Sequence, residues 1–421
     1  MKNYRGSPSR RESLLMHPRS RLLALTVAAT VYASFLASSH SSGEDNLSDN
    51  GDSPQVSEST SGLGFNEPTD AVTEIASLRR TIRLLPNDPD YRLKLAGALS
   101  RVGDPDAAIE ECRAAIKLQP DDGNAHLQLG LILMAKQEWQ AAASALGEAI
   151  RLDPNLSHAH YSLGSVYYSL GNVTAALQSY RRTLDLHPHF PDAHYRLALL
   201  LRIAGRTREA VQHLETAAAG GVSQARLFLG NAYQTGQGVE KNLGLAIFWW
   251  MQAADLGQQT AADSLSKMRR QALSSESTKQ RRIELQSAFQ IYRNTLWNNF
   301  PDISRPTQQQ SLGKVLLEQN PVEDAVPVLL KECFALSEEA HAELAALYET
   351  GWERSLKPYD KNILACFEST SADGFAPAKK ILARIYAKGL GVDADIPKAK
   401  TLLKGLPKQE TQSLIEELRL P

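Results

Sequence analysis

The chain has 421 residues, with 46 Lys and Arg against 47 Asp and Glu, and a formal charge of -1 offers no electrostatic case for a nucleic-acid partner. Three cysteines cannot staple a chain this long, while 43% hydrophobic residues suffice for a sizeable core. Leu and Ala in long polar-interrupted runs, with few β-branched stretches, argue against a sandwich, a barrel or a doubly wound sheet and predict an all-α protein.

At the start of the chain, Lys2, Arg5, Arg10, Arg11, Arg19 and Arg21 stand against a single Glu12, and Leu22 to Ala37 then form an uncharged, mostly apolar run. This outlines an export signal over residues 1–39. The run is shorter than the roughly 20 residues that span a bilayer comfortably, which favours a cleaved signal peptide over a permanent anchor. Small residues suit cleavage after Ala33 or after Ser39. The rival reading, an organellar transit peptide, would be amphipathic, whereas this run is apolar all round. The expectation is an exported protein of a bacterial periplasm or cell envelope, touching a membrane only through residues 22–37 if they are retained. Residues 40–70 follow with no Lys or Arg and with Glu44, Asp45, Asp49, Asp52, Glu58, Glu67 and Asp70 among Ser, Gly and Asn. They have too little apolar area to offset the cost of ordering the backbone, so a disordered linker is expected.

An internal period then sets the fold. Pro86, Pro120, Pro154 and Pro188 recur every 34 residues, each closing a helix-like stretch. Leu95-Ala96, Leu129-Gly130, Leu163-Gly164 and Leu197-Ala198 keep the same phase, and Ala108, Ala142, Ala176 and Ala210 follow each small residue by twelve positions. Two antiparallel helices whose apolar faces cannot be buried alone would use the small residues to approach and the larger ones to fill the space between units. The prolines would stop the second helix of each pair. This spacing resembles the tetratricopeptide repeat, with four units over residues 89–222, Val222 in place of the expected Pro in the fourth, and a lone capping helix over residues 71–85. The resemblance implies a right-handed superhelical solenoid of antiparallel helix pairs over residues 71–222.

After Gly220 the pattern changes. Ala225, Leu229-Gly230, Tyr233, Gly236, Gly238 and Val239 lead to Ala246, Trp249, Trp250, Ala253, Ala254 and Gly257. Ala378, Leu382, Ala383, Tyr386, Gly389, Gly391, Val392, Ala399 and Leu402 repeat it, and a weaker copy runs through Ala340, Leu344, Tyr348, Gly351, Phe367 and Gly374. These segments resemble the Sel-one-like repeat, a longer cousin of the tetratricopeptide unit. The glycines suit an inter-helix turn that needs φ > 0, and Trp249 is expected to pack between units. The resulting division is one such repeat at 223–263, a helical connector and hinge at 264–310, and degenerate repeats of both types at 311–421, beginning at Leu312-Gly313 and Ala325. In the connector, Lys267, Arg269, Arg270, Lys279, Arg281 and Arg282 are expected to be solvated helix-face charges, since Glu276 and Glu284 interrupt them.

No Gly-rich phosphate loop, Gly-x-Ser-x-Gly turn or His-Glu-x-x-His helix occurs, so neither catalysis nor a cofactor is expected. His126, His160 and His194 share one phase of the repeat, about 10 Å or so apart, too far for one ion, and are expected to pack on the preceding unit. His187 and His189 are the best metal candidates, though no metal site is expected. Cys112, Cys333 and Cys366 are expected to be buried or inert thiols. Some secreted Sel-one-like proteins carry a disulfide in every repeat, but the pairs that would form it are missing here.

What remains is surface. The tetratricopeptide resemblance implies that positions 2, 5, 9 and 12 of each first helix line a concave groove. They are Asp90, Leu93, Gly97 and Ser100; Asn124, Leu127, Leu131 and Met134; His158, Tyr161, Ser165 and Tyr168; and Asp192, Tyr195, Leu199 and Arg202. Leu93 and Gly97 replace the Lys and Asn of receptors for chaperone carboxylate tails. Leu127, Met134, Tyr161, Tyr168, Tyr195 and Arg202 are the candidate contacts, because Tyr and Arg dominate binding hot spots. The function expected is a non-catalytic scaffold or assembly adaptor for a protein or peptide partner; the alternative is a regulatory or catalytic subunit in envelope polysaccharide or cell-wall metabolism.

Overall fold

The computed structural model describes residues 68–303, 310–319, 322–352 and 356–420. The export segment, most of the acidic linker and residues 304–309 of the expected hinge lie outside them. The described residues form twenty α-helices with no strand; an isolated antiparallel bridge pairs Trp352 with Leu356. None of these helices is long and apolar enough to cross a membrane.

The chain divides into two compact units, an N-terminal one up to Ala225 with residues 237–239, and a C-terminal one of residues 226–236 and 240 onward. In the N-terminal unit, α1 (Pro68–Leu84) precedes four helix pairs. They are α2 (Pro89–Arg101) with α3 (Pro105–Leu118), α4 (Gly123–Ala135) with α5 (Trp139–Leu152), α6 (Ser157–Ser169) with α7 (Val173–Leu186), and α8 (Pro191–Ile203) with α9 (Thr207–Ala219). This is the all-α repeat solenoid that the 34-residue period implies.

Local chemistry explains each start and stop. Asp88, Asp104, Asp122 and Asn172 precede their helices and accept backbone N–H groups of the first turn, which have no intrahelical partner. Pro89, Pro105 and Pro191 open theirs, where a missing N–H costs nothing. The in-phase small residues then permit close approach. Ala96, Ala108, Ala142, Ala176, Ala198 and Ala210 are fully buried, and a Cβ on Gly130 would sit 2.6 Å from the Leu146 side chain, one on Gly164 2.8 Å from the Tyr180 ring. In the fourth pair, where Val222 replaces the expected proline, Gly220 and Gly221 make the turn. Gly221 adopts φ 94°, and a Cβ on Gly220 would lie 2.4 Å from Pro191.

α10 (Ser223–Thr235) leads into the C-terminal unit. There follow α11 (Leu243–Ala254), α12 (Gln259–Leu273), α13 (Lys279–Leu296), α14 (Leu312–Gln319) with α15 (Val322–Phe334), α16 (Glu338–Thr350) with α17 (Lys361–Ala372), α18 (Ala376–Lys388) with α19 (Ile396–Leu403), and α20 (Lys408–Glu417). The repeat begun at Leu312-Gly313 is a helix pair, with Leu312 and Ala325 fully buried and a Cβ on Gly313 meeting Leu329 at 2.4 Å. The double tryptophan resolves differently from the sequence expectation. Trp250, not Trp249, is the core residue: it is 1% exposed, a Cβ on Gly230 would touch its ring at 2.3 Å, and its Nε1 donates to Asn231 Oδ1 at 3.1 Å. Trp249 is half-buried, edge-on to Phe248.

The turn glycines behave as their recurrence implies. Gly236 and Gly238 have φ 78° and 79°, and Gly389 and Gly391 have 67° and 68°, a region that side chains with a Cβ avoid. Gly238 and Gly391 are doubly constrained, because a Cβ would meet the Thr207 carbonyl oxygen at 2.4 Å in one and Tyr359 at 2.4 Å in the other.

Candidate functional site

The first helices of the four N-terminal pairs, α2, α4, α6 and α8, carry the positions singled out as a binding face. Leu127 and Met134 on α4 are half-buried and pack against the cluster formed by Leu99, Ile132, Leu146 and Leu163. Their neighbour Leu131 is 43% exposed. On α6, Tyr168 is 44% exposed, whereas Tyr161 stacks on Phe190 at a centroid distance of 5.0 Å and tilts against Tyr180 at 5.7 Å. Burial raises the Tyr161 phenol above its ordinary pKa, with the Arg196 guanidinium bonded to it acting the other way. Tyr180 is buried beneath, its hydroxyl 3.1 Å from Ser165 Oγ, and burial pushes its pKa up to about 12. Tyr195 on α8 is half-buried beside the Arg196 guanidinium, 5.9 Å from its ring centroid, and Arg202 is exposed. The face therefore combines wetted Leu131, Tyr168 and Arg202 with a supporting layer of Tyr161, Tyr180, Phe190 and Arg196. Sequence position alone did not single out Arg196, which sits next to position 5 and joins the tyrosines.

The in-phase histidines are structural brackets. The Nε2 of His126 donates to the Pro120 carbonyl at 3.3 Å, that of His160 to Pro154 at 3.1 Å and that of His194 to Pro188 at 2.9 Å. Arg92 makes the same contact with Pro86 at 3.2 Å. A carbonyl can only accept, so the Nε2 atom carries the proton in each ring. In neutral His194 the Nδ1 atom then accepts from His213 Nδ1 at 2.8 Å. Burial, followed by the His194 charge, holds the His213 pKa below its ordinary value. His187 and His189 are exposed, and His187 stands edge-on to Phe190. The three-ligand grouping among the described residues forms elsewhere, from Cys333, His341 and Cys366.

That grouping corrects the sequence reading of the cysteines. Cys333 on α15 and Cys366 on α17 are joined in a disulfide, with Cα atoms 6.7 Å apart and both residues fully buried. The bond links two successive repeats, whereas the expected pattern joined the helices within one, so a search for pairs inside each repeat passes over it. The available signal was their separation of 33 residues, close to one repeat length. Cys112 remains a buried thiol, pushed up to about 12 by burial, and in that state it is inert.

Two more buried polar nodes hold the C-terminal unit. Arg269 of α12 and Asp373 at the end of α17 pair at 2.6 Å with side chains 5% exposed. Ser266 Oγ also donates to Asp373, and Arg269 to Ser369 Oγ and the Phe334 carbonyl. Arg269, expected as a solvated charge, is thus a core residue. A buried pair of this kind needs its remaining donors and acceptors satisfied to offset desolvation, and these contacts supply them. Glu332 of α15 accepts the backbone N–H groups of Leu312 at 2.8 Å and Gly313 at 3.0 Å, with the Ser311 hydroxyl, so an adjacent helix caps α14.

The tetratricopeptide repeat model matches residues 66–123, 93–157, 127–191 and 161–225, and the Sel1 repeat model matches residues 223–258 and 376–404. A mouse (Mus musculus) protein, DAP3-binding cell death enhancer 1, is 41% identical over 58 residues, 14% of this chain and 11% of that protein. The chain thus spans about a ninth of that relative's length. Among solved structures, MamA is 29% identical with a TM-score of 0.34, covering 38% of this chain and 92% of MamA. YrrB, described as a TPR protein with an unusual peptide-binding site, is 20% identical with a TM-score of 0.37, covering 46% and 99%.

Proposed function

We propose, for a chain that belongs to the tetratricopeptide repeat proteins and carries two Sel1 repeats, that it is a non-catalytic assembly adaptor binding a peptide or partner helix on the face of α4, α6 and α8. Repeats of these families support a protein-interaction scaffold. The observation that carries the finer reading is the exposure of Leu131 at position 9 and of Tyr168 and Arg202 at position 12 of successive first helices, together with the Tyr161–Phe190–Tyr180 layer. Aromatic and Arg side chains held by packed neighbours lose little entropy on binding, which is how a few residues come to dominate an interface. In this reading Leu127, Met134 and Tyr161 shape the floor, and Tyr168, Tyr195 and Arg202 make the contacts. The export outline of residues 1–39 and the closed disulfide both support a location outside the cytoplasm.

The test is affinity capture with residues 71–421 against the same protein carrying Tyr168→Ala and Arg202→Ala. A specific partner lost in the double variant, with unchanged thermal stability, supports the groove; a partner retained by both places the binding surface elsewhere. Export is tested separately, by N-terminal sequencing of the native protein. A start between Ser34 and His40 is expected, and an intact Met1 in a cytosolic fraction defeats it.

A further inference from the structure

The disulfide between Cys333 and Cys366 is not surrounded by apolar atoms alone. His341 of α16 is fully buried against it, with Nδ1 2.7 Å from the Ser337 carbonyl and Nε2 3.3 Å from Cys333 Sγ and 3.0 Å from Thr370 Oγ. Burial lowers the His341 pKa to about 4, so the ring is neutral at physiological pH. Its one proton belongs on Nδ1, since the Ser337 carbonyl can only accept, and Nε2 presents a lone pair towards Cys333. Thr370 has a single hydroxyl hydrogen and three acceptors within reach, His341 Nε2, the Cys366 carbonyl oxygen at 2.8 Å and, more distantly, the Phe367 carbonyl oxygen at 3.4 Å.

This arrangement is satisfied in two redox states. With the disulfide closed, the Thr370 hydroxyl donates to His341 Nε2. With two thiols, Cys333 S–H donates to Nε2 and the Thr370 hydroxyl turns to the Cys366 carbonyl. His341 Nε2 and the Thr370 hydroxyl keep a partner in either state, so neither state carries the penalty of an unpaired imidazole acceptor in a dry core.

We propose that Cys333, Cys366, His341 and Thr370 form a reversible dithiol–disulfide site that cross-links two successive repeats when oxidised and uncouples them when reduced by a dithiol. One thiolate of the reductant attacks a sulfur of the Cys333–Cys366 bond, and its second thiol then closes the reductant's own disulfide. Two electrons and two protons pass to the cysteines, and a disulfide oxidant reverses the exchange. Both sulfurs are buried, so exchange proceeds through local opening of α16 and α17.

The experiment equilibrates the full chain in reduced and oxidised dithiothreitol at graded ratios, quenches with acid, alkylates under denaturing conditions and reads the oxidised fraction by mass. Wild type should interconvert in both directions. Thr370→Val removes the donor needed only in the disulfide state and should shift the equilibrium towards the dithiol by about 3- to 10-fold. Thr370→Ser should restore the wild-type ratio. His341→Leu removes the acceptor for the Cys333 thiol and should shift it towards the disulfide by a similar factor. Hydrogen exchange in the reduced wild type should rise over residues 338–373. If His341→Leu does not fold, the Thr370 pair decides alone. Shifts of the same sign in Thr370→Val and His341→Leu, equal ratios for Thr370→Val and Thr370→Ser, failure of the reduced chain to reoxidise, or one equivalent of zinc retained by the reduced chain would each overturn the proposal.

Discussion

Trp249 and Trp250 are adjacent in sequence, yet their surroundings set different costs for losing them. Successive helical residues point about 100° apart, so when both are Trp the periodic pattern cannot say which faces the core. The Gly230 notch and the Asn231 acceptor decide it for Trp250. Trp250→Ala should cost about 3–5 kcal/mol, through the cavity and the orphaned Asn231 oxygen. Trp249→Ala should cost well under half of that. Chemical denaturation of the two variants checks the order, and equal losses would mean that both indoles carry the packing. Glycine turns were readable because their constraint is backbone conformation: Gly391→Val combines φ 68° with a clash on Tyr359 and should cost on the order of 1–3 kcal/mol. The same stability measurement applies, and a neutral Gly391→Val would show that the turn can relax.

His341 also gives stability a pH dependence whose sign can be worked out. Its folded pKa of about 4 lies below the ordinary 6.5, so the unfolded chain binds the proton more readily between those values. Stability from this residue is complete above about pH 6.5 and declines as pH falls towards about 4. Buried Glu332 and half-buried Asp255 act oppositely: desolvation raises both carboxyl pKa values, so lowering pH through them favours the folded state. The difference between wild type and His341→Gln isolates the histidine. That difference in thermal midpoint should narrow from pH 7 to pH 4.5, and a constant offset would show that His341 does not titrate on unfolding.

At the scale of helices, what was legible follows from what repeats. Pairing, turn position and the buried small residues reappear every 34 positions, so four copies average out the noise of any one. The histidine brackets were half legible: phase marked His126, His160 and His194 as equivalent, and geometry added the Pro carbonyls that they hold. Features that occur once were invisible. The Cys333–Cys366 bond, the Arg269–Asp373 pair and the Glu332 cap each join segments 19 to 104 residues apart, and beyond the near-repeat spacing of the two cysteines no local period marks them. The candidate face was legible as positions only, because exposure separates Tyr168 from Tyr161 and the pattern does not. The disulfide closes a loop of 33 residues containing all of α16. By the chain-entropy model, replacing both cysteines with Ala should cost about 3–4 kcal/mol relative to the oxidised chain. Denaturation without reductant measures this, and a loss below about 1 kcal/mol would mean that the unfolded loop is already restricted.

For the whole molecule, the division into two compact units sets how far damage can travel. In a repeat array, stability is approximately a sum of unit terms and nearest-neighbour terms, so a defect lowers protection near itself and fades with distance. The C-terminal unit departs from that pattern in one respect. Arg269 and Asp373 bind 104 residues apart, and with the Cys333–Cys366 bond they tie α12, α15 and α17 into one node. Trp250 lies in the same hydrophobic cluster as Met268, Phe334 and Phe367, which surround that node. The Trp250→Ala defect should therefore spread through residues 243–386 rather than decay within one repeat, while residues 89–150 keep their protection. Leu146→Ala, in the N-terminal unit, should stay close to α4, α5 and α6, where ties such as Gln128 Nε2 to the Leu93 carbonyl reach only the adjacent repeat. Hydrogen exchange on both variants discriminates the two behaviours. Loss confined to residues 223–273 in Trp250→Ala would show a C-terminal unit as locally coupled as any solenoid, and loss reaching residues 89–150 would show that the two units unfold as one.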